Sequence, residues 1–136
     1  MGPRRLSAAD LDAVRAVAKQ WGKIVARHAF GPDGPGLDVD LTAMEEVASA
    51  AAQGLTEGTV EHLLEQQADQ LPAPHPCPTC GQRCPVQREP RPLKVRGASV
   101  AHREPVCHCP SCRRDFFPSA ARAASGQPRL QPDAAG

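Results

Sequence analysis

The sequence predicts a small α+β protein, in which a helical unit precedes a cysteine-rich β module and a disordered C-terminal tail. Three observations lead to this prediction. Apolar residues recur at helical spacing before residue 71, six cysteines lie between residues 77 and 112, and the last residues are rich in Ala, Gly and Pro without periodicity. We therefore divide the chain into a helical region (1–71), a proline-rich linker (72–76), a β module (77–118) and a disordered tail (119–136).

The helical region is expected to contain about three helices whose apolar faces pack together. Ser7 and Asp10 form a capping-box pattern that opens the first helix. Asp40 or Thr42 opens the second, and the third follows Gly58. The apolar positions of the first helix recur every three or four residues, as Leu11, Val14, Val17, Ala18, Trp21, Ile24 and Val25, ending at His28.

The composition limits the size of the apolar core that the chain can form. Aromatic residues make up 3% of it, and Tyr is absent, so a large apolar core is not expected and a bound metal would help the fold. No apolar run approaches the roughly 18 residues of a membrane span, and the charged start does not resemble an export signal. We expect a cytoplasmic protein with no membrane partner.

Two near-identical cysteine motifs carry the strongest signal. Cys77-Pro-Thr-Cys80 and Cys109-Pro-Ser-Cys112 each place two thiolates on one tight turn. A hairpin between the motifs would bring the two turns together around one zinc ion, as in a zinc ribbon. A redox pair would occur once, before a helix, and disulfides would suit an exported protein, so both alternatives fit less well.

A site filled by four thiolates has no open coordination position, so the zinc is expected to be structural. No nucleophile–base set, phosphate loop or facing carboxylate pair is apparent, and we predict no enzymatic activity. Cys84 and Cys107 lie outside the repeated motifs, yet Cys107 could compete as a ligand. His75 and His108 flank the motifs and stay open as competitors.

The two halves of the chain have net charges of opposite sign. Residues 1–70 hold six basic against eleven acidic residues, whereas residues 71–122 hold nine against three. Clustered cations on a small rigid module favour phosphate contacts, and the shortage of aromatic residues favours duplex DNA over single strands. Two alternatives are a protein-interaction module and a solvated charged face, and the helical region could support self-association. The candidate DNA-binding residues are Arg83, Arg88, Arg91, Lys94, Arg96, Arg103, Arg113 and Arg114.

Residues 40–118 resemble the N-terminal region of bacterial insertion-sequence transposases of the ISKra type. The resemblance rests on both cysteine motifs, the basic stretch Arg91–Lys94, Gly97 at a turn, and Phe116-Phe117-Pro118. It implies a DNA-binding or assembly module with zinc on Cys77, Cys80, Cys109 and Cys112. Family members continue into an RNase H-like catalytic domain, whereas an Ala-rich stretch begins here at Ser119. The resemblance therefore implies a truncated or free-standing relative without strand-transfer activity.

Overall fold

The computed structural model describes residues 4–119, which form helices followed by short β-sheets. The helices are α1 (Ala8–Gln20), α2 (Gly22–Phe30) and α3 (Leu41–Ala68). The strands are β1 (His75–Pro76), β2 (Arg83–Cys84), β3 (Val86–Val95), β4 (Ala98–Cys109) and β5 (Arg114–Phe116). This small α+β architecture is the predicted class. The predicted tail lies outside the described residues, except for Ser119.

The chain divides into two compact units, with the boundary inside α3 between Ala52 and Gln53. In the first unit, the predicted capping box is confirmed. The Asp10 amide donates to Ser7 Oγ at 3.1 Å, and the Ser7 amide donates to Asp10 Oδ2 at 3.3 Å. Trp21 then separates α1 from α2 while keeping nearly helical backbone angles, and Gly31 ends α2 at a φ of 83°. These two helices therefore follow one another as a single interrupted stretch.

The prediction of separate second and third helices is wrong. Asp40 Oδ1 accepts from the Ala43 amide at 2.9 Å and opens α3, which then runs without a break through Gly54 and Gly58. Each glycine costs about 1 kcal/mol relative to Ala in a helix, and the surrounding Ala, Leu and Glu residues are strong helix formers. Residues 4–119 thus contain two helical stretches. The expected packing of apolar helix faces is also wrong, since none of the three helices contains a buried residue.

The second unit contains the end of α3 and both sheets. β3 and β4 form a hairpin with Val86 opposite Cys107 and Val95 opposite Ala98, and β5 adds to β4 with Phe116 opposite Cys107. Gly97 takes a φ of 73° in the turn, as predicted. β3 runs without a break from Val86 to Val95. Because β3 is an edge strand, it accommodates Pro90 and Pro92, which have no amide hydrogen to contribute.

The two faces of the hairpin carry different types of buried residue. Successive residues in a strand point to opposite faces. One face presents Cys107 and Cys109, which pack with Cys77, Cys84 and the half-buried Phe116. The other face presents buried side chains that include two ionisable groups, namely Leu93, Val100, His102, Glu104 and Val106. The core of this unit is therefore small and centred on sulfur.

β1 and β2 flank the first cysteine motif. His75 pairs with Cys84 and Pro76 with Arg83, so the chain enters and leaves the motif through one short antiparallel ladder. β1 lies within the segment predicted as the proline-rich linker. The His75 ring lies 6.0 Å from the Phe116 ring, which brings β1 close to β5. Phe116 packs against the cysteine cluster.

Candidate metal centre

The two cysteine motifs fold into matching turns. In the first, the Gly81 amide donates to the Cys77 carbonyl at 2.9 Å, and in the second the Arg113 amide donates to the Cys109 carbonyl at 2.7 Å. Within each turn a backbone amide also points at the first sulfur: Thr79 to Cys77 Sγ and Cys112 to Cys109 Sγ, both at 3.4 Å. The repeated sequence therefore produces a repeated geometry.

The hairpin brings the two turns together. The Sγ atoms of Cys77, Cys80, Cys109 and Cys112 all lie within 4.8 Å of one another. Cys77 Sγ is 3.9 Å from Cys112 Sγ, and Cys80 Sγ is 3.5 Å from Cys109 Sγ. A tetrahedral zinc ion with Zn–S bonds of about 2.3 Å requires sulfurs about 3.8 Å apart. The two measured separations bracket that value, so the four sulfurs can hold one metal ion.

These distances do not suit disulfides, in which the sulfurs lie about 2.05 Å apart. All six cysteines are free thiols. The cluster is closed on its inner side, where Cys77 and Cys109 are buried, whereas Cys112 is half-buried and Cys80 is exposed. An ion held there would thus sit at the edge of the sheet, with its ligands completed by the chain itself.

Hydrogen bonds from backbone amides lower the pKa of two of the four thiols. Hydrogen bonds from the Cys80 and Thr79 amides lower the pKa of Cys77 to about 6, and the Cys112 amide lowers the pKa of Cys109. The hydrogen bond with Cys80 is the largest effect that raises the pKa of Cys112, to about 12. The first sulfur of each turn is thus prepared as a thiolate. A divalent ion that binds all four must displace the proton from Cys112.

The remaining cysteines lie outside the four-sulfur group. Cys84 Sγ donates to the Gln82 carbonyl at 3.3 Å, and burial raises the pKa of its thiol to about 11. Burial also raises the pKa of Cys107. Both therefore stay protonated and act as small apolar residues in the core. His108 faces away from the cluster, with Nδ1 2.8 Å from Asp115 Oδ1.

Gly81 and Arg113 occupy equivalent positions after their turns, and both have positive φ values, 80° and 56°. No heavy atom outside its immediate neighbours lies within 4 Å of a Cβ built on Gly81, so the backbone angle alone favours glycine there. We expect Gly81→Ala to lower the free energy of unfolding by about 1–2 kcal/mol. Urea titration at a fixed free-zinc concentration would measure this change.

The matched control is Gly58→Ala, because Gly58 lies inside α3 with the same open surroundings and no positive φ. Its free energy of unfolding should rise by about 0.5–1 kcal/mol, so the two substitutions should act in opposite directions. Equal effects of the two would show that the turn does not require a left-handed backbone.

The predicted DNA-binding residues fall into two groups: three arginines whose guanidinium groups already bind acceptors within the chain, and five exposed cations. Arg88 and Arg91 are engaged with carboxylates: Arg88 Nη2 lies 2.9 Å from Glu65 Oε1, and Arg91 Nη1 lies 3.4 Å from Glu104 Oε1. Arg83 Nη1 donates to the Pro74 carbonyl at 3.0 Å. The others are exposed and have no carboxylate partner within 4.0 Å among residues 4–119; they are Lys94, Arg96, Arg103, Arg113 and Arg114.

The sequence did not indicate that α3 would contact the hairpin. Besides its bond to Glu65, Arg88 lies 4.0 Å from Asp69, and Glu61 Oε2 accepts from the Ala101 amide at 3.3 Å. The three acidic residues recur every four positions, with Glu61 and Glu65 on α3 and Asp69 directly after its last residue, and so share one face. This four-residue spacing is compatible with a contact between α3 and the hairpin, but it is equally typical of a helix face exposed to solvent. The contacts dock the C-terminal half of α3 on the hairpin.

Comparisons with protein-family models, with curated proteins and with solved structures find no match for this chain. The interpretation of the site therefore depends on its own geometry. Within the part of the chain that the structure describes, no helix is both long enough and apolar enough to cross a membrane.

Proposed function

We propose that the chain is a structural zinc-ribbon module, with one zinc ion bound by Cys77, Cys80, Cys109 and Cys112. The observation that carries this proposal is the approach of these four Sγ atoms to within 4.8 Å of one another. Tetrahedral sites of four sulfurs favour zinc or iron, and zinc is the usual ion for two knuckles joined by a hairpin. Such an ion stabilises folding by about 10–16 kcal/mol in small zinc-binding domains.

The four-thiolate ligand set argues for a structural ion. Catalytic zinc sites keep a position open for water or substrate, and four protein ligands leave none. The surrounding core is too small to hold the hairpin by itself, since its buried residues are mainly cysteines and a few aliphatic side chains. The metal would therefore replace the missing apolar core, and the module would present a surface rather than perform a reaction.

We further propose that this surface binds duplex DNA. Support comes from the exposed cations that have no carboxylate partner within the described part of the chain. By strand register, Lys94 and Arg103 lie on the same face of the hairpin, and Arg96 lies at its turn. Cations that are free of internal ion pairs can bind phosphates without first breaking a bond. Arg88 and Arg91 are less suited to this role because their guanidinium groups are already engaged.

The test is the salt dependence of binding to a fluorescent duplex of about 20 base pairs, measured by anisotropy with the zinc-loaded protein. The variant replaces Lys94, Arg96 and Arg103 together by Gln. The control replaces Arg15, Lys19 and Lys23, which lie on α1 and α2, and makes the same change in charge. If all three hairpin cations contact phosphate, the slope of log K against log salt should decrease in magnitude by about 2–3 in the variant.

The control should keep the original slope, since a general loss of positive charge is the same in both proteins. A labelled single strand of the same sequence should bind more weakly than the duplex, because the module has few aromatic residues for base stacking and one of them, Phe116, packs against the cysteine cluster. No duplex binding at low salt would contradict the DNA proposal, while leaving the zinc site in place. Tight binding of a protein partner with little response to salt would instead favour an interaction module.

The resemblance to ISKra-type transposases leads us to propose kinship with their N-terminal region. Its support lies in the residues around the metal centre: the two knuckles, Gly97 in the hairpin turn and Phe116 against the cysteine cluster. Sequencing the full-length transcript would decide whether the module acts alone or precedes a catalytic domain.

A further inference from the structure

One surface of the first unit is apolar and has no partner within that unit. The large side chains of α1 and α2 that recur at helical spacing are between 43% and 59% exposed, and they are Leu11, Val14, Val17, Trp21 and Ile24. We call them the apolar stripe. Short helices gain most of their stability in water from packing such a face, so uncovered helices of 13 and 9 residues would be marginal.

The order of the four inner residues of the stripe, Val14 to Ile24, is self-complementary when it is reversed, and Leu11 would lie opposite Arg27. In an antiparallel pair centred near residue 19, Val17 lies opposite Trp21 and Val14 opposite Ile24, so the smaller side chains face the larger ones. The two ends are also complementary as hydrogen-bonding groups, since a carboxylate accepts from an imidazole N–H. Asp10 closes one end of the stripe, and the exposed His28 closes the other. An antiparallel pair would bring each Asp10 beside the His28 of the other copy.

The basic residues next to the middle of the stripe lie away from it. At 100° per residue, Arg15, Lys19 and Lys23 fall on the side opposite to Val17 and Trp21. A second copy could therefore cover the stripe without burying those charges. Twofold pairing requires a surface that is complementary to itself, which the reversed pattern provides.

From this pattern we infer that the apolar stripe is the interface with a second copy of this chain, packed antiparallel about a twofold axis. This inference does not depend on the zinc or DNA proposals, because the stripe lies in the unit that precedes Gln53. It explains why none of the described residues before Gln53 is buried within the single chain. The partner copy would supply the packing that the unit lacks.

The first test is sedimentation equilibrium of the full zinc-loaded chain over a range of concentrations, with Val17→Glu as the variant and Ala16→Glu as its matched control. Both residues are exposed, and Ala16 points away from the stripe. The wild type and Ala16→Glu should dimerise with increasing concentration, and Val17→Glu should stay monomeric. Zinc content of the variants shows whether the ribbon remains folded. A monomeric wild type at about 100 μM, or equal dimerisation of both variants, overturns the inference.

A second pair of variants tests the orientation and leaves the stripe intact. In the antiparallel arrangement His28→Lys places a cation beside the Asp10 of the other copy and should tighten the dimer severalfold, whereas His28→Glu should weaken it. In a parallel arrangement, residue 28 of one copy would lie beside residue 28 of the other copy. Both substitutions would then weaken association through like-charge repulsion, and that result would overturn the antiparallel assignment.

Discussion

We expect Cys109→Ser to release the metal and to unfold the hairpin module. Cys109 is fully buried, and its sulfur lies 3.5 Å from Cys80 Sγ in the centre of the candidate site. Serine has nearly the same shape but is a far weaker ligand, because its hydroxyl stays protonated near neutral pH. Changes around a metal site that spare its ligands already cost 10–100-fold in affinity, so loss of a ligand should cost at least about 100-fold.

Two measurements check this result: metal content per chain after gel filtration, and amide hydrogen exchange of β3 and β4. One zinc per chain in the wild type should fall to near zero in Cys109→Ser, with loss of protection along both strands. The helices α1 and α2 precede the hairpin unit and should keep their exchange rates. Retention of zinc at wild-type affinity would contradict the assignment of Cys109 as a ligand.

Cys107→Ser is the matched control, since Cys107 is buried on the same strand and the chemical change is identical. Its sulfur is not one of the four that lie within 4.8 Å of each other. We expect this variant to keep one zinc ion and to lose about 1–3 kcal/mol of stability from burying a hydroxyl group. A contrast between two cysteines two residues apart would separate metal binding from general damage to the core.

The cysteine turns could be predicted from the sequence because they depend on local structure. Two residues between the thiolates set the shape of each turn, and Cys77-Pro-Thr-Cys80 repeats in Cys109-Pro-Ser-Cys112. The hairpin turn at Gly97 is equally local, since it needs one residue with a positive φ. The assembly of the site then requires one long-range pairing, that of β3 with β4.

The helix boundaries were harder to predict because competing effects are of similar size. Gly54 and Gly58 suggested a break, yet α3 continues through both, while the interruption occurs at Trp21 in a stretch without helix breakers before it. A glycine costs about 1 kcal/mol in a helix, which neighbouring residues can offset. Sequence patterns also give no sign of whether an apolar face is covered by the same chain.

The roles of the arginines depended on strand register and on the docking of α3. The sequence grouped Arg88 and Arg91 with Lys94 and Arg96 as phosphate-binding candidates. Arg88 instead meets Glu65, 23 positions earlier, and Arg91 meets Glu104 across the hairpin. A charge pattern shows how many cations a segment carries. It does not show which of them already have an internal partner.

The pairing of Arg91 with Glu104 leads to the second large effect that we expect. The Glu104 side chain is 4% exposed and the Arg91 side chain 30%, with Nη1 and Oε1 3.4 Å apart. Glu104 alternates along β4 with Val100, His102 and Val106 on one buried face. Burial lowers the pKa of His102, so its ring is mainly neutral at pH 7. Arg91 is one source of positive charge close to the buried Glu104 carboxylate.

We expect Arg91→Leu to lower the free energy of unfolding by about 2 kcal/mol. Removing one partner of a fully buried ion pair costs about 3–5 kcal/mol, and we reduce that figure because Arg91 is nearly a third exposed to screening solvent. Urea titration of the zinc-loaded protein, at one free-zinc concentration for every variant, measures the change. Arg96→Leu is the control, since Arg96 is exposed in the hairpin turn and its loss should change stability by less than about 0.5 kcal/mol.

The double variant Arg91→Leu with Glu104→Gln separates the ion pair from simple packing. If the cost of Arg91→Leu arises from the loss of Arg91 as a counter-ion to the buried carboxylate, replacing that carboxylate by a neutral amide should recover part of the lost stability. If the cost arises from packing of the arginine stem, the two losses should add. Additive losses, or an Arg91→Leu protein as stable as Arg96→Leu, would show that Arg91 is not required as a counter-ion and would return it to the residues available for phosphate binding.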